Sequence, residues 1–129
     1  MKAGREHRVP LSPDAVELLN ALSTHADHVF PGQVERKPLS NMAMEMCLRR
    51  MGQDQYTVHG FRSTFRDWAG ETTDFPREVA EMALAHQVGS AVERAYRRGD
   101  SFTRRRELMS AWAEFCLSSA GGHALAPPS

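Results

Sequence analysis

Long apolar runs are missing from this chain, and so is any excess of one charge. No stretch approaches the roughly 18 apolar residues of a membrane span, so no membrane partner is expected. Sixteen Lys and Arg residues balance sixteen Asp and Glu residues. That excludes a polycationic tail protein and leaves room for a local basic patch. Cysteine is scarce: Cys47 and Cys116 are far apart in sequence. With no export signal at the start, they read as two reduced core thiols, and the cytoplasm is the expected location. Lysine is nearly absent, Lys2 and Lys37 standing against fourteen arginines. A GC-rich gene produces that bias, and so does phosphate recognition, which favours a planar fork of donors; composition does not separate the two.

What is present is one domain's worth of helix-forming sequence. The 129 residues suffice for a core without disulfide staples. The pattern predicts a mainly α fold with a small β element at the N-terminal edge, around His7-Arg8-Val9. A helix is expected at 13–22, capped by Ser12 and opened by Pro13, with Val16, Leu18, Leu19 and Leu22 inward. A second runs over 41–51, with Ser40 as cap, Gly52 as stop and Met42, Met46, Cys47 and Met51 inward. After a brief extended piece at Tyr56–Val58, a third spans 60–70 and buries Phe61, Phe65, Trp68 and Ala69. A fourth covers 76–85, burying Val79, Ala83 and Leu84. Ser90 and Glu93 form a capping-box pattern for a short helix carrying Val92, Ala95 and Tyr96. The last helix, 102–118, repeats Phe102, Leu108, Met109, Trp112, Phe115 and Cys116 at helical spacing. Residues 1–118 form the domain, and 119–129 are expected to be a disordered tail.

Four features fall in order along this frame. His59 and Arg62 sit three apart at a helix entrance. His86 ends the next helix, Tyr96 follows ten residues later beside Arg97 and Arg98, and Lys2 stands next to a glycine turn. These residue types suit phosphoryl transfer to a tyrosine. Guanidinium groups match the charge that builds on the equatorial oxygens. Histidines donate or move protons near neutral pH. A tyrosine hydroxyl, with a resting pKa near 10, attacks only in a cationic surround. Lysine can protonate a leaving oxygen, and no metal is required.

The set His59-x-x-Arg62, Ala85-His86 and Tyr96, with Lys2–Ser12 upstream, resembles the catalytic domain of tyrosine recombinases, in particular prophage and genomic-island integrases. His59–Glu71, Phe75–His86 and Ala95–Asp100 carry the likeness, which covers residues 2–116. The resemblance implies that family's helical catalytic-domain fold and site-specific integration of duplex DNA, with no cofactor. It implies Tyr96 as the nucleophile forming a 3′-phosphotyrosyl link and Arg62 gripping the scissile phosphate. It makes His59 and His86 assistants, Lys2 the general acid and other recombinase subunits the partners on DNA. The family's first active-site arginine, upstream of the lysine hairpin, has no counterpart among these residues. The chain is therefore expected to be a C-terminal fragment with little recombination of its own. The alternative is a non-catalytic DNA-binding or interaction remnant.

Residues 94–106 gather six arginines against Asp100. Arg94, Arg97 and Arg98, with Arg66, are expected on the DNA backbone, where binding would depend strongly on salt; much of Arg104–Arg106 reads equally as a solvated face. Asp67, Glu71, Asp74, Glu78 and Glu81 predict an acidic opposite side. His25 and His28 lack a carboxylate or thiol set, so no metal site is expected there.

Overall fold

The computed structural model describes residues 6–22, 27–86 and 101–123, with side chains in the last segment through 118. Among the described residues it is mainly helical: α1 (Pro13–Asn20), α2 (Ala43–Arg50), α3 (Val58–Thr72), α4 (Arg77–Ala83) and α5 (Ser101–His123). The expected helices at 13–22, 41–51, 60–70, 76–85 and 102–118 each have a counterpart. The short helix expected around Ser90–Tyr96 lies outside the described residues.

Local chemistry sets most boundaries. Ser12 accepts from the Ala15 N–H at 3.2 Å, and Pro13 opens α1, since its missing N–H loses nothing at that position. Gly52, at φ 71°, closes α2, where a left-handed residue is cheap only for glycine. Ser40 is not the side-chain cap; only its carbonyl is used, accepting from the Ala43 N–H at 3.1 Å. α3 starts earlier than expected because Thr57 is its cap, accepting from Gly60 N–H at 2.9 Å; Thr57 is extended, and Val58 is already helical. α3 also runs past Gly70. The Thr72 and Thr73 hydroxyls then donate back to the carbonyls of Trp68 and Ala69, the second of which is among the four that a helix end leaves without a helical partner. α5 extends five residues beyond the expected 118, into the stretch expected to be disordered tail.

His7-Arg8-Val9 forms no strand. The isolated bridge described pairs Pro31 with Pro38, in a turn closed by Gly32 N–H to Lys37 O at 2.9 Å. A Cβ on Gly32 would meet the Pro38 carbonyl oxygen at 2.3 Å, so the turn requires glycine.

The core lies where α3, α4 and α5 meet. Phe65, Trp68 and Ala69 from α3 pack with Val79 and Ala80 of α4, Leu84 just beyond it, and Leu108 of α5. The i, i+3, i+4 spacing on α3 places its three on one stripe. Trp112 extends the cluster: its ring lies 5.3 Å from Phe65, edge-on at 88°, and 5.0 Å from Trp68, arrangements that aromatic quadrupoles favour.

Several expected core positions are instead open. Phe61, Phe115, Val16, Leu18 and Leu22 are exposed, as are Met42, Met46 and Met51. Both thiols, Cys47 and Cys116, are free and exposed. The pattern at 41–51 does form a helix, α2, but its apolar side is exposed rather than buried.

Within Arg104–Arg106, much of which reads as a solvated face, Arg105 is the exception. It is 8% exposed, and its Nη2 donates to the carbonyl of Arg8. It ties the segment before α1 to α5. Burial pushes its pKa below the ordinary arginine value, because desolvation disfavours the charged form. Arg105→Ala is expected to cost about 2 kcal/mol, the range for a hydrogen bond to a charged group whose partner is left stranded. Arg104→Ala, at an exposed neighbour, should stay within about 0.5 kcal/mol. Leu108→Ala, at a side chain with 0% exposure, should cost about 3 kcal/mol. Urea unfolding followed by circular dichroism measures all three.

Candidate active site

Helical spacing puts His59, Arg62 and Arg66 along one side of α3, at i, i+3 and i+7. That side adjoins α4, because Phe65 and Ala69 next to it pack against Val79 and Leu84. Arg62 reaches the end of α4, where its Nη2 donates to the Leu84 carbonyl at 2.5 Å. That carbonyl belongs to a helix terminus, where partial negative charge accumulates and a cation is favoured.

The chain turns sharply there. Ala85 is left-handed at φ 57°. The Ala85 N–H donates to Met82 O at 3.0 Å, and the His86 N–H donates to Glu81 O at 2.9 Å. This pair of bonds is a Schellman motif, a helix ending that normally takes glycine at the left-handed position. The turn swings His86 back over the last turn of α4. Its Nδ1 meets Glu81 Oε2 at 2.5 Å.

Glu81 is the centre of the cluster. Its side chain is 14% exposed; Oε1 lies 2.7 Å from Arg66 Nε and 3.8 Å from Arg77 Nε. Oε1 is buried and has no aligned hydrogen bond, so those contacts are charge pairing. One carboxylate thus faces two guanidinium groups and an imidazole from two helices. In a partly desolvated position such pairing is stronger than at the open surface, where ion pairs contribute little.

The structure therefore brings Arg62 and His86 to the same end of α4 and joins Arg66 to His86 through Glu81. His59, in the first turn of α3, is exposed and shares the face of Arg62. Lys2, Tyr96, Arg94, Arg97 and Arg98 lie outside the described residues. Glu81 does not stand with an acidic opposite side as expected; it belongs to the cationic cluster. Sequence spacing hid this, since residues five apart do not share a helix face, and only the turn at Ala85 brings His86 over Glu81. The neighbouring groove between α3 and α4 is mixed in charge, with Asp67 and Glu71 beside Arg66 and Arg77.

Exposed arginine and histidine side chains thus gather at one helix end, and comparison with known proteins gives them a context. The chain is 35% identical to the prophage integrase IntA of Escherichia coli, over 95% of its own length and 30% of that protein. It is 36% identical to the prophage integrase IntZ of Escherichia coli, over 95% of its length and 31% of that protein. It is 31% identical to the integrase of a Shigella phage, over 89% of its length and 31% of that protein. The chain is thus similar to phage and prophage integrases along nearly all of its residues and spans about 30% of their length. No family model matches it, and no solved structure matches it. Among the described residues, no helix is long and apolar enough to cross a membrane.

The strained turn yields a stability test. Ala85→Gly relieves a left-handed alanine, so it should raise stability by about 0.5–1 kcal/mol in urea titrations. A loss instead would mean the Ala85 methyl contributes packing that outweighs its backbone strain.

Proposed function

We propose that the chain is the catalytic segment of a tyrosine-type site-specific recombinase acting on duplex DNA, together with other recombinase subunits. The observation that carries this reading is the convergence of Arg62 and His86 on the end of α4, in a chain similar to integrases over 95% of its length. Arg62 holds a non-bridging oxygen of the scissile phosphate, and His59 and His86 add hydrogen bonds or shuttle protons. The Tyr96 hydroxyl passes its proton to His59 or His86 as its oxygen attacks phosphorus. A 3′-phosphotyrosyl bond forms, the bond to the 5′ oxygen breaks, and Lys2 delivers a proton to that leaving oxygen, giving a free 5′-hydroxyl. Reversal by another strand's 5′-hydroxyl rejoins the DNA. Arg66, Arg94, Arg97 and Arg98 supply backbone contacts, with the electrostatic salt dependence such contacts bring.

The alternative, a non-catalytic DNA-binding module, keeps the same contacts without the attack. Arg62 is the one active-site arginine that the motif assigns among these 129 residues. Strand cleavage by them alone should therefore be slow, by on the order of a hundredfold or more for one missing transition-state donor.

The test uses nicked duplexes of the junction sequences flanking the gene, in which the cleaved end diffuses away and traps the adduct. Wild type should accumulate a covalent protein–DNA species on denaturing gels. Tyr96→Phe should form none while retaining salt-sensitive binding, and Arg62→Ala should slow adduct formation at least a hundredfold. Adduct persisting in Tyr96→Phe would remove the proposed chemistry. Binding without any wild-type adduct would favour the module.

A further inference from the structure

The turn at Ala85 does more than end a helix, because it puts an imidazole ring and a carboxylate in a fixed relation. Two contacts from one residue secure His86: its backbone N–H donates to the Glu81 carbonyl at 2.9 Å, and its Nδ1 meets Glu81 Oε2 at 2.5 Å. The carboxylate is itself held. Arg66 from α3 and Arg77 from the start of α4 lie on Oε1, leaving Oε2 to the histidine. The backbone of this corner is anchored from the other side by Arg62 on the Leu84 carbonyl.

We propose that Glu81 is a positioning residue of the strand-transfer site, acting through His86. A carboxylate accepts hydrogen bonds and cannot donate them. Opposite it, Nδ1 must carry the proton, so the outward nitrogen is Nε2 in every charge state. Neutral His86 then offers Nε2 as a proton acceptor; protonated His86 offers Nε2–H to a phosphate oxygen. Without Glu81 the ring is free to rotate about χ2 and exchange tautomers, and the outward atom is no longer defined. The same logic gives a ligating or catalytic histidine its orientation from the group behind it. Glu81 does not touch DNA in this scheme. Among the described residues, the charged and titratable groups facing the pair are Arg66 from α3 and Arg77 from α4, with Arg62 at the adjoining carbonyl.

The proposal takes the role of His86 in strand transfer from the reading above, but its decisive measurement needs no DNA. Long-range proton–nitrogen correlation spectra of the chain labelled with 15N-histidine report which ring nitrogen of His86 bears the proton in its neutral form, followed along a pH series until the ring signals stop moving. Assignment comes from the signal missing in His86→Asn. Wild type should show His86 protonated at Nδ1, and Glu81→Ala should move the proton to Nε2. A wild-type ring already protonated at Nε2 overturns the proposal before any variant is made. A tautomer unchanged in Glu81→Ala overturns it too, and leaves Glu81 only the task of pinning α4 to Arg66. In the trapping assay, Glu81→Ala should slow adduct formation about tenfold or more. His86→Asn and the double variant should then be equally slow, since one residue acts through the other. If wild type makes no adduct at all, the recombinase reading fails, and the tautomer still decides whether Glu81 orients His86.

Discussion

The burial of α4 between α3 and α5 is the constraint on which the rest of the molecule depends. Val79 and Leu84 are taken out of water by Phe65, Trp68 and Leu108, and apolar burial of this kind is the main favourable term in folding. α4 has only seven residues, far too few to be stable as an isolated helix. It exists because its apolar side is covered. Once it is fixed, its carboxyl end lies beside Arg62, its last turn presents Glu81 to Arg66, and the chain has one inexpensive way out, the left-handed step at Ala85. The cationic cluster is thus a consequence of hydrophobic packing on the far side of the same short helix.

That dependence explains which features could be read from the sequence. Helices α1 to α5 were legible because caps and periodicity are local: Ser12 with Pro13, Gly52, and the Phe65–Trp68–Ala69 stripe act within a few residues. Arg62 and His86 were legible as a pair through motif spacing. The environment of each side chain was not. Met42, Met46 and Met51 sit at helical spacing, yet are exposed, because periodicity identifies an apolar face without saying what covers it. Arg105 looked like its neighbours Arg104 and Arg106, and only the packing of the Arg8 segment on α5 turns it inward. Glu81 was grouped with an acidic side because its partners come from α3 and from beyond a turn whose handedness alanine does not announce.

Charge neutrality of the whole chain also takes on a different meaning. Among the described residues, the acidic groups do not all serve as solvating charge. One of them, Glu81, organises arginines and a histidine, while Asp67 and Glu71 border the same groove. Paired in this way, guanidinium groups are held in place without a large uncompensated field.

The central claim is that this cluster serves the attack of one aromatic hydroxyl on a phosphodiester. The chain contains two tyrosines, Tyr56 and Tyr96, so the claim reduces to a mapping experiment. Protein trapped on a nicked DNA substrate is digested with protease and nuclease, and the peptide bearing a nucleotide is sequenced by mass spectrometry. The account predicts a single 3′-linked nucleotide on the peptide containing Tyr96. A nucleotide on Tyr56, on a serine, or on no residue of the chain would contradict it.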